Sequence, residues 1–320
     1  MKRIATTIFL IFLCMSLFSQ GLNPERTKQT MHDNRVKTQV KFKYRPDSDK
    51  GTKVSMLQFD ENGNVIEEIN YKPDGSIMSK YKYKYNANGF KTEYLKFNIE
   101  ASKEVLNYSQ HFKYDYNNNK IEEKVSNDGE SYFTFKYKYD LQGKLKTKSQ
   151  YTSSGAFMGK EEYAYSNGTV TILSYDGANN QTGKAIEKYE NNLLVETIKY
   201  GANGSAGMKN TYKYNQEGML LEEKKYNQGR FIEKLNYRYN PNGFVEQIAK
   251  EDADGQKFIN NSYFYDNRFN LIEEKWFDGV PDDYSKKSYS YDKTNKVTQM
   301  DSYYSLYRYN VLYKYTYTYY

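Results

Sequence analysis

The sequence predicts an all-β protein: an antiparallel meander of about twenty short strands, arranged as tandem hairpin repeats of about 26 residues in one open, curved or spiral sheet. Three observations predict it. An aromatic residue followed by Asp or Asn, usually with Gly four positions on, recurs along the chain. A second series of turn signals falls about half a period away. Between the two series the residues alternate at period two, as in Tyr81-Lys82-Tyr83-Lys84-Tyr85 and Tyr313-Lys314-Tyr315-Thr316-Tyr317.

Composition supports a sheet over disorder. Mean hydropathy is −0.97 and hydrophobic residues make up 38% of the 320, too polar for an ordinary thick core. Chains that polar and poor in aromatics stay unfolded, because burial does not offset the ordering entropy. Here 37 Tyr and 17 Phe supply the apolar area, and the phenolic tip of each Tyr tolerates water. With only 5 Pro, a low-complexity linker is not indicated.

At the N-terminus, Lys2 and Arg3 precede an apolar run from Ile4 to Phe18 and then Ser19-Gln20-Gly21. That is the pattern of a cleaved secretory signal over residues 1–20, too short to span a bilayer as a helix. Residues 21–39 read as a flexible linker and 40–320 as the repeat domain. The only cysteine, Cys14, lies inside the apolar run behind Leu13, which argues against a lipoprotein signal. Its removal leaves no thiol for disulfide, nucleophilic or metal chemistry. The net charge of +7 falls to +5 without Lys2 and Arg3, and Lys is interspersed with Glu, so nucleic acid is not an expected partner. The expected destination is the periplasm, cell surface or exterior, with no membrane span once the signal is removed.

The anchors are Phe59, Tyr85, Tyr139, Tyr214 and Tyr239, with weaker copies at Tyr116, Tyr165, Tyr189, Tyr265 and Tyr291. In Asn240-Pro241-Asn242-Gly243, Asn opens a type I turn, Pro pre-sets φ, and Gly takes the left-handed position of a bulged three-residue hairpin loop. Gly63, Gly89, Gly143, Gly218 and Gly243 are therefore structural turn residues. Asn192 and Asn295 suit that slot, Lys120 less so, and Phe269 should refuse it, so the hairpin after Tyr265 is expected to use another turn. The bulge sets a register in which each anchor faces the residue six positions later. It pairs Phe59 with Val65, Tyr139 with Leu145, Tyr214 with Leu220, Tyr239 with Val245, Tyr265 with Leu271 and Tyr291 with Val297. Tyr85 facing Lys91 is the exception to this aromatic–aliphatic rule. The recurring Ile121-Glu122-Glu123-Lys124 and Leu221-Glu222-Glu223-Lys224 segments place adjacent carboxylates on opposite faces, as a charge ladder rather than a catalytic dyad.

The run Tyr137-Lys138-Tyr139-Asp140-Leu141-Gln142-Gly143-Lys144-Leu145 resembles the YD repeat of Rhs and teneurin-type proteins, and further copies extend the resemblance over about residues 40–320. The resemblance implies hairpins joined side by side into a spiralling strip, which in large members encloses cargo. About ten copies are too few for such a shell, so encapsulation is not carried over, nor is a toxin or autoprotease region.

No catalytic motif is present, and His32 and His111 are the only histidines, so the chain is read as non-catalytic and free of cofactor. The expected role is an envelope binding module that meets a polysaccharide or an envelope protein through exposed aromatics. Trp276, Tyr83, Tyr137, Tyr212, Tyr237, Tyr263 and Tyr289 are the candidate contacts. A purely structural envelope scaffold is the alternative. An outer-membrane β-barrel is the remote one, because nearly every strand carries Lys or Glu on one face where a lipid-facing band must be apolar.

Overall fold

The computed structural model describes residues 23–45, 48–101, 103–127, 132–280 and 282–320. The export segment with Cys14, and Gly129 of one turn, lie outside the described residues. Helix α1 (Pro24–Asp33) comes first, within the stretch read as a linker. It is followed by β1 (Val36–Tyr44), β2 (Thr52–Phe59), β3 (Val65–Tyr71), β4 (Ile77–Tyr85), β5 (Lys91–Glu100) and β6 (Lys103–Tyr114). Next come β7 (Lys120–Ser126), β8 (Tyr132–Tyr139), β9 (Leu145–Tyr151), β10 (Phe157–Ser166), β11 (Thr169–Asp176) and β12 (Gln181–Glu190). The meander goes on through β13 (Leu193–Gly201), β14 (Ala206–Tyr214), β15 (Leu220–Asn227), β16 (Arg230–Tyr239) and β17 (Val245–Asp252). It ends with β18 (Lys257–Tyr265), β19 (Leu271–Trp276), β20 (Ser285–Tyr291), β21 (Val297–Tyr304) and β22 (Tyr309–Tyr319).

The open sheet expected from sequence is wrong. The last strand pairs with the first, Gln39 opposite Tyr317, Lys41 opposite Tyr315 and Lys43 opposite Tyr313, so the 22 strands close into a β-barrel. Two physical reasons account for closure. An even strand count brings β22 back antiparallel to β1, and closure removes the two edges whose free N–H and C=O groups would recruit other chains. The seam strands lie almost the whole chain apart, so no local motif announces their pairing, and β1 starts four residues before the expected repeat boundary.

Register follows the sequence rule. All six aromatic–aliphatic pairs form as expected, and Tyr85 does face Lys91. In the turn after Phe59, Asp60 N–H bonds Asn64 O at 2.9 Å and Gly63 N–H bonds Asp60 O at 3.0 Å. The Asp60 carboxylate accepts from the Asn62 and Asn64 amides at 3.0 and 2.8 Å, completing an Asx turn. The five turn glycines named above all have φ between +76° and +80°.

Four hairpins differ from expectation; those after Tyr165 and Tyr189 close through two-residue loops, Asn167-Gly168 and Asn191-Asn192, with both residues at positive φ. The sixth and seventh strands turn at Tyr114, not Tyr116: Tyr114 faces Lys120, and Asn118 takes the left-handed slot at φ +65°. Shifting the anchor by two residues spares Lys120 that strain and leaves Tyr116 exposed at the tip. Phe269 does adopt φ +62°, in the same turn as its neighbours. Its ring stacks on Phe244 at 5.7 Å, and Asp266 bonds the Arg268 and Asn270 amides, offsetting the unfavourable backbone.

All the anchor turns lie at one end of the barrel, together with α1 and the C-terminus. Asn23 caps α1 by accepting from the Glu25 and Arg26 amides, and Pro24 fits the first helical position. Met31 is buried against Val36 and Phe59. Arg26 bonds the Arg268 and Phe269 carbonyls, and His32 Nδ1 donates to Glu61 O at 2.7 Å, so the helix straps hairpins from both sides of the seam. Among the described residues only α1 and the short 3-10 turn Ser305–Tyr307 leave the sheet. The wall is a single layer.

Candidate functional site

The most regular feature of the wall is a ladder of tyrosine hydroxyls. Nine anchors donate to a backbone carbonyl on the preceding strand: Tyr85 to Val65, Tyr114 to Lys91, Tyr139 to Lys120, Tyr165 to Leu145 and Tyr214 to Leu194. The series continues with Tyr239 to Leu220, Tyr265 to Val245, Tyr291 to Leu271 and Tyr317 to Val297, at 2.7 to 3.1 Å. The bulge explains it. The extra residue in the preceding strand tilts a carbonyl out of the ladder of sheet bonds, and the phenol one strand on satisfies it.

Two residues before the anchors runs a second belt on the same face, in which tyrosines meet glutamates. Tyr137 donates to Glu123 at 2.9 Å, Tyr163 to Glu161 at 2.8 Å and Tyr289 to Glu274 at 2.8 Å, and the anchor Tyr189 turns to Glu187 at 2.8 Å in the same way. Burial, then the adjacent carboxylate, pushes the Tyr137, Tyr163 and Tyr289 hydroxyls far above the ordinary phenol value. Lys120 and Lys287 balance Glu123 and Glu274 at 2.6 and 3.1 Å. These belts tie neighbouring strands of the wall together, and the Tyr137, Tyr163 and Tyr289 phenols stay protonated at neutral pH.

The ladder face is the more closely packed one: most of the buried hydrophobic side chains, among them Phe59, Tyr237, Val245, Tyr263 and Leu271, lie there. Lys41 and Lys287, three strands apart around the wall, share this face. Burial and then the Lys287 charge push the Lys41 ammonium down to about 8.

Of the aromatics singled out from sequence, Tyr212, Tyr237 and Tyr263 are only 3–7% exposed, so they are wall rather than contact surface. Tyr83, Tyr137 and Tyr289 are half-buried on the ladder face. Trp276 packs edge-on against Tyr304 at 6.2 Å with the Lys287 ammonium 5.1 Å from its ring. The structure brings the tyrosines into one belt and leaves Trp276 apart from it. Sequence reasoning missed the glutamates of the belt. The signal was available: the second Glu of the Glu122-Glu123 and Glu222-Glu223 pairs stands 14 residues before Tyr137 and Tyr237, and both pairs of partners bond.

The opposite face carries rows of ion pairs, three of them made by the lysine just before an anchor, at the strand end that enters the turn. Lys84 meets Glu93 at 2.9 Å, Lys113 meets Glu122 at 2.9 Å and Lys213 meets Glu222 at 3.1 Å, with lysine side chains 66–70% exposed. Glu196 bridges Lys188 and Lys209 at 2.6 Å each. Among the described residues no group of three or more His, Cys, Asp or Glu side chains could hold a metal ion, and no helix is long and apolar enough to cross a membrane.

No family model matches the chain, and no curated protein matches it. Among solved structures it is similar to the crystal structure of TcdB2-TccC3-Cdc42, at 13% identity and a TM-score of 0.30, over 81% of this chain and 19% of that one. The chain thus spans about a fifth of the length of that relative. It is similar to a porin-like protein from Bacteroides uniformis at 8% identity and a TM-score of 0.32, over 88% of this chain and 98% of that one. A protein with unknown function from Bacteroides fragilis matches at 12% identity and a TM-score of 0.26, over 45% of this chain and 99% of that one. These likenesses assign the chain to no family.

Proposed function

We propose that the chain is a non-catalytic β-barrel of the cell envelope, a rigid hollow scaffold whose wall meets water on both faces. The observation that carries this reading is closure between β1 and β22. A closed wall has no free edge to extend by strand addition. Its ladder tyrosines are engaged in the wall itself, so closure favours a barrel over an open strip that binds partners through those rings. Water on both faces follows from charge. Ion pairs stand at mid-strand on the ladder face, as Lys225–Glu233 at 2.7 Å and Lys250–Glu233 at 2.8 Å, and on the opposite face, as Lys209–Glu196 at 2.6 Å. A lysine at a bilayer midplane costs roughly 2–4 kcal/mol on a lipid-facing barrel strand.

An outer-membrane barrel is the second reading, favoured by the same closure and by the meeting of α1 and the C-terminal strand at one barrel end. Fractionation after export separates the two. Expression with the native N-terminus, followed by osmotic and high-salt release, is expected to yield a monodisperse β-rich protein without detergent. A chain extracted only by detergent, with strands protected from exchange by lipid, overturns the scaffold reading and establishes the second. A mainly cytoplasmic chain with its N-terminal segment intact overturns both.

A further inference from the structure

A groove crosses strands β6 to β9 on the face opposite the tyrosine ladder. Its two joined compartments measure 430 and 280 Å³ and share Glu122, Lys124 and Tyr132. Volumes of this order suit a small extended ligand. The floor consists of short hydroxyl side chains: Ser109, Ser126 and Thr134 are 6%, 4% and 7% exposed. Register explains the trough. Ser109 lies opposite Ser126 and Thr134 opposite Lys124, so small residues on adjacent strands are overhung by tall neighbours.

The rim is cationic. His111 and Lys113 stand on β6, Lys124 on β7 and Lys136 on β8, against the two carboxylates of Glu93 and Glu122. Lys113 holds Glu122 at 2.9 Å, and His111 lies 3.6 Å from Glu93. The Lys124 and Lys136 ammoniums rest instead over the Tyr132 and Tyr151 rings, at 5.0 and 5.2 Å. Cation–π contacts of that length at a wet surface contribute only about 0.5–1 kcal/mol, so an arriving anion can draw both ammoniums away and uncover the rings.

The geometry points to a binding site for a segment of acidic polysaccharide carrying one carboxylate per sugar. Lys113 and Lys136 lie in one row on either side of Glu122, and Lys124 lies one row over opposite His111, so neighbouring cations are a diagonal step of about 7–8 Å apart, a spacing that suits carboxylates carried on successive sugars. The Ser109 and Thr134 hydroxyls offer donors and acceptors to ring hydroxyls, and the tyrosines offer flat apolar walls. A denser polyanion, with charges closer together than the strands, would place its extra charges against Glu122. The site rests on the reading that this face meets water, and it uses none of the ladder tyrosines.

The test uses the exported chain in titration calorimetry against an oligogalacturonate, its fully methyl-esterified form and inorganic polyphosphate. The acidic glycan is expected to bind. The ester and the double variant Lys124→Gln with Lys136→Gln are each expected to bind about tenfold more weakly, the loss of roughly one charged hydrogen bond. The double variant Lys188→Gln with Lys213→Gln, on the same face but off the groove, is expected to bind like the parent. Amide shifts of the unmutated chain on adding the acidic glycan should cluster on β6 to β9, which keeps the test open if a groove variant fails to fold. Equal binding of ester or polyphosphate, equal loss in the off-groove variant, or shifts elsewhere overturns the site. A soluble chain that ignores the acidic glycan overturns the groove alone, whereas a chain that needs detergent overturns the scaffold reading.

Discussion

The sector from β15 to β19 and the sector from β6 to β9 are built from the same hairpin, yet one is packed and the other open. In the first, Leu235, Tyr237, Val245, Ile248, Tyr263 and Leu271 form a continuous buried cluster. In the second, Phe133 is 37% exposed and Tyr137 only half-buried. Turn, bulge and hydroxyl-to-carbonyl bond are the same around Tyr139 and Tyr239. The difference lies nine positions after the anchor: Tyr237 faces Ile248, whereas Tyr137 faces Lys148. Lys148 turns toward Glu161 at 3.5 Å, so the ring beside it keeps one wet flank. The repeat sets register everywhere, and a single position then decides whether a stretch of wall becomes core.

The largest expected effect breaks that contrast directly. Tyr237→Ala removes a ring that is 6% exposed and should lower unfolding free energy by about 3–5 kcal/mol, as large aromatic truncations in cores do. Tyr137→Ala, half-buried, should cost about half as much. Urea unfolding followed by circular dichroism measures both, and equal losses would show that the two sectors are packed alike.

Next in size is a comparison of turn glycines. Gly63 and Gly143 share the left-handed conformation, at φ +76° and +78°. A Cβ on Gly63 would lie 2.3 Å from the Lys28 carbonyl of α1, whereas a Cβ on Gly143 meets nothing within 4 Å. Gly143→Ala should cost about 1 kcal/mol from backbone strain alone. Gly63→Ala should cost more and should release α1, seen as faster amide exchange in residues 24–33. Equal costs would mean that the helix does not dock on that turn.

Legibility in the sequence follows the same divide between local and distant causes. The six anchor pairs and the left-handed slots were readable because a three-residue loop with a Gly bulge permits one register. Phe269 misled the reading, since its backbone preference is outweighed by Phe244, a residue 25 positions away that no turn rule includes. Closure was invisible for the same reason: Gln39 opposite Tyr317 is a contact between chain ends. The tyrosines were legible as one face, but not their engagement. Only the structure shows nine of these hydroxyls capping the carbonyl that the neighbouring bulge frees.

That engagement gives a smaller, more even prediction. Tyr239→Phe and Tyr139→Phe each leave a carbonyl, Leu220 O or Lys120 O, without its phenol partner at 2.8 Å. Each should cost about 1 kcal/mol, with little difference between sectors, because the ladder is the same in both. A neutral result in both sectors would show that water replaces the hydroxyl, and that the ladder reports register without contributing to stability.

The smallest effect separates hairpins whose turn opens on Asp from those that open on Asn. Burial alone would raise the Asp292 carboxyl, but the Lys296 amide and ammonium, the Thr294 hydroxyl and the Thr294 amide outweigh it and hold the group down to about 2. A carboxylate whose folded pKa lies below its unfolded value of about 3.9 contributes stability that is complete above the higher value and lost as pH falls through the lower. Asn240 accepts from the Asn242 and Phe244 amides in the same geometry and carries no charge to lose. Between about pH 4 and 2 the turn between β20 and β21 should therefore loosen before the turn between β16 and β17, read as amide exchange at Lys296 against Phe244. Asp292→Asn should abolish the difference without changing the turn. Persistence of the difference in that variant would trace the acid sensitivity to the nearby seam, where α1 also rests on this end of the wall through Asn34 and Thr294.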